Sequence, residues 1–257
     1  MRTSRPLTVV ARYAVVEALR SGLPWLAVGC VLAVSGVSLF LSRVAISEGA
    51  ALQAAAAAAL LRACAVFVLA AHVVASVARE ANDKGLELAL ALPVSRSTYY
   101  LGKLLGLAGV AALLASVFAL PLLIWGAPAD VAAWWLSLAF EATLVGAAAL
   151  LFASVIAHSV AAIAATLALY LLARAMAAIQ AIASGPLAAD SAAAVAARWV
   201  VDALALLLPR LDAATRSDWL LYGAPAAGDI ALLLAGMALY VVLLAAAGLF
   251  DFSRRNL

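Results

Sequence analysis

Hydrophobic positions along this chain gather into six long runs, at about residues 23–41, 57–77, 104–125, 131–157, 160–182 and 230–250. Each is close to the length of about 20 apolar residues that a helix needs to cross a bilayer core about 30 Å thick. The alternating runs of about 10 residues that mark a membrane barrel are absent. The pattern predicts an all-α integral membrane protein: one transmembrane domain over residues 1–257 with six spanning helices. A shorter pattern precedes them. Within 5–20, Leu7, Val10, Ala11, Ala14, Val15, Ala18 and Leu19 share one helical face, and Arg5, Arg12 and Arg20 lie toward the other. That arrangement predicts a helix lying flat at the membrane interface. Between the fifth and sixth runs, segment 184–228 holds an apolar stretch at 195–208, closed by Pro209 and too short to span. It predicts a re-entrant or interfacial helix, followed over 212–223 by a polar connector.

Composition strengthens this picture. The chain is 68% apolar and 11% charged, against about a quarter charged in soluble domains. The first run is read as a span rather than a cleaved signal, because Arg2, Arg5, Arg12, Glu17 and Arg20 precede it and it exceeds the 7–15 residues of a signal core. Orientation follows from the basic residues. With both termini on one side, that side holds Arg2, Arg5, Arg12, Arg20, Arg79, Lys84, Arg96, Lys103, Arg254 and Arg255, whereas Arg43, Arg198, Arg210 and Arg216 lie opposite. The bias places both termini in the cytoplasm. It also accounts for the net charge of +3 without a nucleic-acid partner. Trp125, Trp134 and Trp135 are expected at the outer interface, and Trp25, Tyr99 and Tyr100 at the inner one. Lys103 is read as an anchor snorkelling to the inner surface.

The chemistry of common enzymes is missing from the motifs. Gly102-Lys103 is followed by Leu104 and has Ser97 where a phosphate loop needs its first glycine. No G-x-S-x-G elbow and no H-E-x-x-H pair occurs. His72 and His158 stand alone, and Cys30 and Cys64 fall in separate spans, where they read as small packing residues. No metal or cofactor is expected on this chain, and no catalytic residue is assigned. Three ionisable residues, Arg62, Glu141 and Arg174, fall inside the apolar runs, at ~8–15 Å below the outer boundary by helical rise. Such residues are expensive in a bilayer. Glu141 is expected to pair with Arg174, Arg62 or both; the alternative has Arg62 snorkelling outward while the other two face water separately.

The segment 79–103 is the one substantial polar element on the termini side. Glu80 with Lys84 and Arg79 with Asp83 have i, i+4 spacing, which predicts a short helix continuing the second span. Gly85 permits a bend, Leu86, Leu88, Leu90 and Leu92 give an apolar side, and Pro93 breaks the helix. Ser95 is placed to cap the next helix, which begins at Arg96.

The run Glu80-Ala81-Asn82-Asp83-Lys84-Gly85-Leu86-Glu87, with Leu92-Pro93-Val94-Ser95-Arg96 and Leu101-Gly102-Lys103, resembles the cytoplasmic loop of ABC-2 type transporter permeases. Leu208-Pro209-Arg210-Leu211-Asp212, Trp219-Leu220-Leu221-Tyr222-Gly223 and the tail Phe252-Ser253-Arg254-Arg255-Asn256-Leu257 are similar to the multicopper-enzyme-maturation branch, the nitrous-oxide reductase accessory permeases. The resemblance implies a half-transporter of the bacterial cytoplasmic (inner) membrane, an exporter subunit working as a homodimer. Its partners would be a second permease copy, two ABC ATPase subunits that bind ATP and Mg, membrane lipids and a periplasmic accessory protein. On that basis Arg79, Glu80, Asp83, Lys84, Gly85 and Pro93 form an ATPase-coupling element, with the 5–20 helix as a second contact. The alternative reading is a stand-alone secondary carrier or channel.

Overall fold

A computed structural model describes residues 4–44, 49–83, 95–185 and 192–254. Lys84, Gly85 and Pro93 lie outside the described residues, as do the bend and break expected around them. The described chain is helical: α1 (Ser4–Arg20), α2 (Leu23–Val44), α3 (Gly49–Asn82), α4 (Arg96–Ala119), α5 (Pro128–Val155), α6 (Ser159–Ala183), α7 (Ala192–Leu207), the single turn α8 (Trp219–Tyr222) and α9 (Ala227–Arg254). Six of these, α2 to α6 and α9, are long and apolar enough to cross a membrane, which makes the chain a multi-pass membrane protein in architecture. One face of the bundle carries α1 and the end of α9; the opposite, far face carries the starts of α3, α5 and α9.

The helices start where local chemistry permits. Pro128 opens α5 at a position where a missing N–H costs nothing. Ser95 caps α4, its hydroxyl accepting the Thr98 N–H as the sequence predicts. A 3₁₀ turn over Leu120–Ile124, with Pro121 in its first turn, ends the third span. The alanine tract at 50–59 simply extends α3, giving a helix of 34 residues where the apolar run alone reached only 57–77. Alanine adds little to hydropathy but is the best helix former. The α5–α6 link is as short as expected, with His158 as the N-cap of α6.

At the centre stands α5. It packs against α3, α4, α6, α8 and α9, and its buried side chains run from Val131 to Leu150. Trp134 is fully buried there and packs in the core. At the termini face Tyr99 and Tyr100 both meet Phe252 of α9, with ring centroids 6.2 and 6.1 Å apart. Across α2 and α3, the Ser38 hydroxyl donates to the Gln53 carbonyl at 3.0 Å, and the Cys30 and Cys64 thiols touch.

Helix α1 is packed along the first half of α4. The contact depends on two glycines spaced four apart. A Cβ on Gly102 would lie 2.8 Å from the Val10 Cβ, and one on Gly106 would lie 2.6 Å from the Ala11 carbonyl oxygen and 2.7 Å from the Ala14 Cβ. Small residues on both helices let the two backbones approach, as in membrane helix pairs generally. Ala14 and Ala18 are buried as the stripe predicts, whereas Leu19 is 54% exposed and lies off it.

Replacing Gly106 with Leu forces backbone apart from backbone, so a loss of about 1–3 kcal/mol is expected. In detergent this should appear as a lower melting temperature with α1 newly open to protease, whereas Gly109→Leu, whose Cβ would meet only the Val15 side chain at 3.3 Å, should be milder. Equal melting temperatures for Gly106→Leu and the parent would refute the close-packing account.

Candidate functional site

Two polar constellations stand out, one in the far half of the bundle and one at the termini face. The first forms because residues 208–220 fold back into the bundle. Helix α7 runs along α6, its Arg198 Nε donating to the Ala183 carbonyl at 2.8 Å and Asp202 accepting from Gln180 at 3.1 Å. Its end is caught by α9: Tyr240 Oη donates to the carbonyls of Leu206 and Leu208, both at 3.0 Å. Tyr240 lies about 20 Å along α9 from the far end, at 1.5 Å per residue. By the same measure Arg62, Glu141 and Tyr170 each lie about 20 Å from the far ends of α3, α5 and α6. The segment that follows, residues 208–220, is therefore packed among the helices as a plug, and the polar connector expected over 212–223 is in part buried. Leu211, Ala214 and Thr215 are fully buried, and Trp219 and Leu220 nearly so.

Backbone without helix or sheet partners is tolerated at such depth only where protein groups satisfy it. Two arginines do so here. Arg174 Nη1 donates to the Leu211 and Ala214 carbonyls at 2.7 and 2.8 Å. Arg62 Nη1 donates to the Thr215 carbonyl at 2.8 Å. Thr215 adopts a φ of 45°, in the left-handed region that a β-branched residue rarely enters. Its N–H and hydroxyl both donate to Ser137 Oγ, at 2.9 and 3.1 Å, so three bonds hold the strained residue.

Glu141 sits beneath this layer, fully buried. One of its oxygens, Oε1, accepts from Tyr170 Oη at 2.9 Å and faces Arg174 Nη1 at 3.4 Å. The expected Glu141–Arg174 pair is thus present, but the two shorter bonds of that arginine go to carbonyls. Arg62 has a different partner: its guanidinium reaches the plug instead of the acid. Oε2 of Glu141 and Nε of Arg62 are buried with no hydrogen-bond partner among the described residues.

The second constellation links α1, α3, α4 and α9 at the termini face. Glu80 Oε2 accepts from Tyr99 Oη at 2.9 Å and from Lys103 Nζ at 2.5 Å. Lys103 is only 4% exposed, so it is a buried partner of Glu80 and not a snorkelling anchor. Arg79 reaches Glu17 of α1 at 3.1 Å instead of Asp83. Tertiary partners outcompete the i, i+4 pair because the α3 end is held beside α1 and α4. Asp83 is exposed. Among the described residues no group of three His, Cys, Asp or Glu could hold a metal ion.

Sequence reasoning singled out the charges and missed the neutral groups that complete the layer: Ser137, Tyr170, Thr215 and Tyr240. Their only signal was a hydroxyl within or beside a long apolar run. The glycine pair at 102 and 106 was legible as a close-approach motif and went unread. No family model matches the chain, and no curated protein is similar to it.

Arg174→Met strands two carbonyls and a buried carboxylate, a change expected to cost about 3–5 kcal/mol. Folded yield by size-exclusion of the detergent extract should fall sharply, and Glu141→Gln in the same chain should restore part of it. Strictly additive losses in that double-mutant cycle would show that the two side chains do not interact.

Proposed function

We propose that this chain is the membrane-spanning permease subunit of an ATP-driven ABC-2 type exporter of the bacterial cytoplasmic membrane. Two copies would work with two separate ATPase subunits, and the termini face would be cytoplasmic. The observation that carries this reading is the bonded platform of Glu80, Tyr99, Lys103, Arg79 and Glu17. It ties the last turn of α3 to α1 and to the start of α4, immediately on either side of the segment that resembles the ATPase-coupling loop. A partner can drive a conformational change only through contacts that differ between two states. A stiff platform carries such a displacement into the bundle, and α1, docked on Gly102 and Gly106, moves with it. Asp83, which is exposed, would supply the contact in this scheme together with Lys84, Gly85 and Pro93, while Arg79 and Glu80 brace it from behind. The flat interfacial placement of α1 belongs to the same proposal.

A second reading is supported by the far constellation. A buried acid flanked by Arg174 and Tyr170, beside non-helical backbone near the middle of the bundle, is the kind of feature secondary carriers use. The two readings differ in whether the chain works alone.

Charge reversal at Glu80 would set a lysine against buried Lys103, so it tests folding as much as coupling. Asp83→Lys is the cleaner probe. It should leave the melting temperature unchanged and lower permease-stimulated ATP hydrolysis about tenfold, the effect of losing ~1.4 kcal/mol of contact. Affinity purification from native membranes should recover an ATP-binding subunit with the parent chain and much less with Asp83→Lys. Recovery of the chain alone in good yield, with proton- or sodium-driven flux in proteoliposomes, would replace the permease reading by the carrier one.

A further inference from the structure

We propose that the groove between the re-entrant segment and α9 is a binding site for a zwitterionic phospholipid, of the phosphatidylethanolamine type, entering from the leaflet at the far face. The groove encloses about 530 Å³, within the ~300–1,000 Å³ usual for small-ligand sites. That is room for a headgroup and the upper part of one chain, with the remainder left among the bilayer lipids.

The argument rests on the chemistry of its lining. Asp229 stands in the first turn of α9, about 3 Å along that helix from its far end. Arg210 also lines the groove, and its guanidinium has no hydrogen bond or ion pair among the described residues. Much of the remaining wall is apolar, with Leu206, Leu233, Gly236 and Met237, and Tyr240 belongs to it too. A phosphatidylethanolamine molecule presents the matching groups: an ammonium, a phosphate and acyl chain. The ammonium would meet Asp229, and the phosphate would take paired N–H donors from Arg210, the geometry in which arginine binds phosphate best.

Two further features favour an occupant over mere contact with bulk lipid. An uncompensated guanidinium in a bilayer is costly, and Arg62 and Arg174 both have protein acceptors where Arg210 has none among the described residues. Gly236 leaves the wall open: a Cβ built there meets nothing within 4 Å. The site depends only on the far half of the bundle, so it stands or falls separately from any ATPase partner.

The test uses the purified full chain in phosphatidylglycerol nanodiscs containing a trace of phosphatidylethanolamine with a photoreactive acyl chain, and maps crosslinks by mass spectrometry. Labelling should concentrate on residues 205–210 and 230–240, well above the lipid-facing positions of α2 such as Leu26, Leu32 and Phe40. Gly236→Leu narrows the groove from a position where a Cβ meets nothing within 4 Å, so it should keep the parent melting temperature while cutting groove labelling at least about fivefold, an effect near 1 kcal/mol. Arg210→Gln should cut it about tenfold, as loss of a charge-assisted pair implies. Groove labelling no denser than on α2, or unchanged by Gly236→Leu, would overturn the site. Equal labelling by a photoreactive phosphatidylglycerol probe, with no effect of Asp229→Asn, would overturn the zwitterionic assignment.

Discussion

Everything in the far half of this bundle depends on satisfying a few backbone carbonyls where no water can reach them. Leu211, Ala214 and Thr215 lie in a loop buried inside the bundle, and a loop there cannot satisfy itself. Arg174 and Arg62 supply the missing donors, and their charge obliges the structure to keep an acid nearby. Glu141 is that acid. Tyr170 and Ser137 complete the set from α6 and α5, and Tyr240 closes the end of α7 from α9. Four spans are thereby coupled to one stretch of irregular chain. Removing the loop would leave Arg62 without its carbonyl acceptor and Arg174 with Glu141 alone; removing the arginines would leave carbonyls without donors. Each makes the other tolerable.

The termini face solves a different problem. There the difficulty is to attach a helix of modest hydrophobicity, α1, firmly to a bundle whose core lies elsewhere. Glycine provides the approach and a salt bridge provides the registration: Gly102 and Gly106 bring α4 against Val10, Ala11 and Ala14, and Glu17 meets Arg79. The Glu80–Lys103 pair, with Tyr99 as a third member, locks the neighbouring ends of α3 and α4. Rigid at one end and pinned through polar groups at the other, the central α5 connects two regions that would otherwise be independent.

Most of the architecture was legible because hydrophobic run length maps directly onto bilayer thickness. The six spans, the short link at His158 and the cap at Ser95 all follow from local chemistry. What sequence could not resolve was the destination of polar side chains. Lys103 looks like any interfacial lysine until Glu80 is found beside it, and Thr215 looks like part of a polar connector because polarity alone says nothing of its partner Ser137 on α5. The burial of Trp134 and Tyr100 among other helices was equally out of reach, since an aromatic residue suits a core and an interface alike. The charges in the spans were the informative exception, since their cost demands an explanation wherever they occur.

The carbonyl bound by Arg62 belongs to a residue 153 positions later in the chain. Ribosomes add about 5–20 residues per second, so an arginine already within the second span waits many seconds before Thr215 has even been made. Glu141 and Arg174, separated by 33 positions, can meet far sooner. During synthesis the half-built bundle therefore carries an uncompensated cation, and something temporary must shield it: lipid headgroups, water drawn into the bilayer, or the insertion machinery itself. Arg62 gains its carbonyl acceptor only with the arrival of the 208–220 segment, which makes the last third of the chain a chaperone for the first.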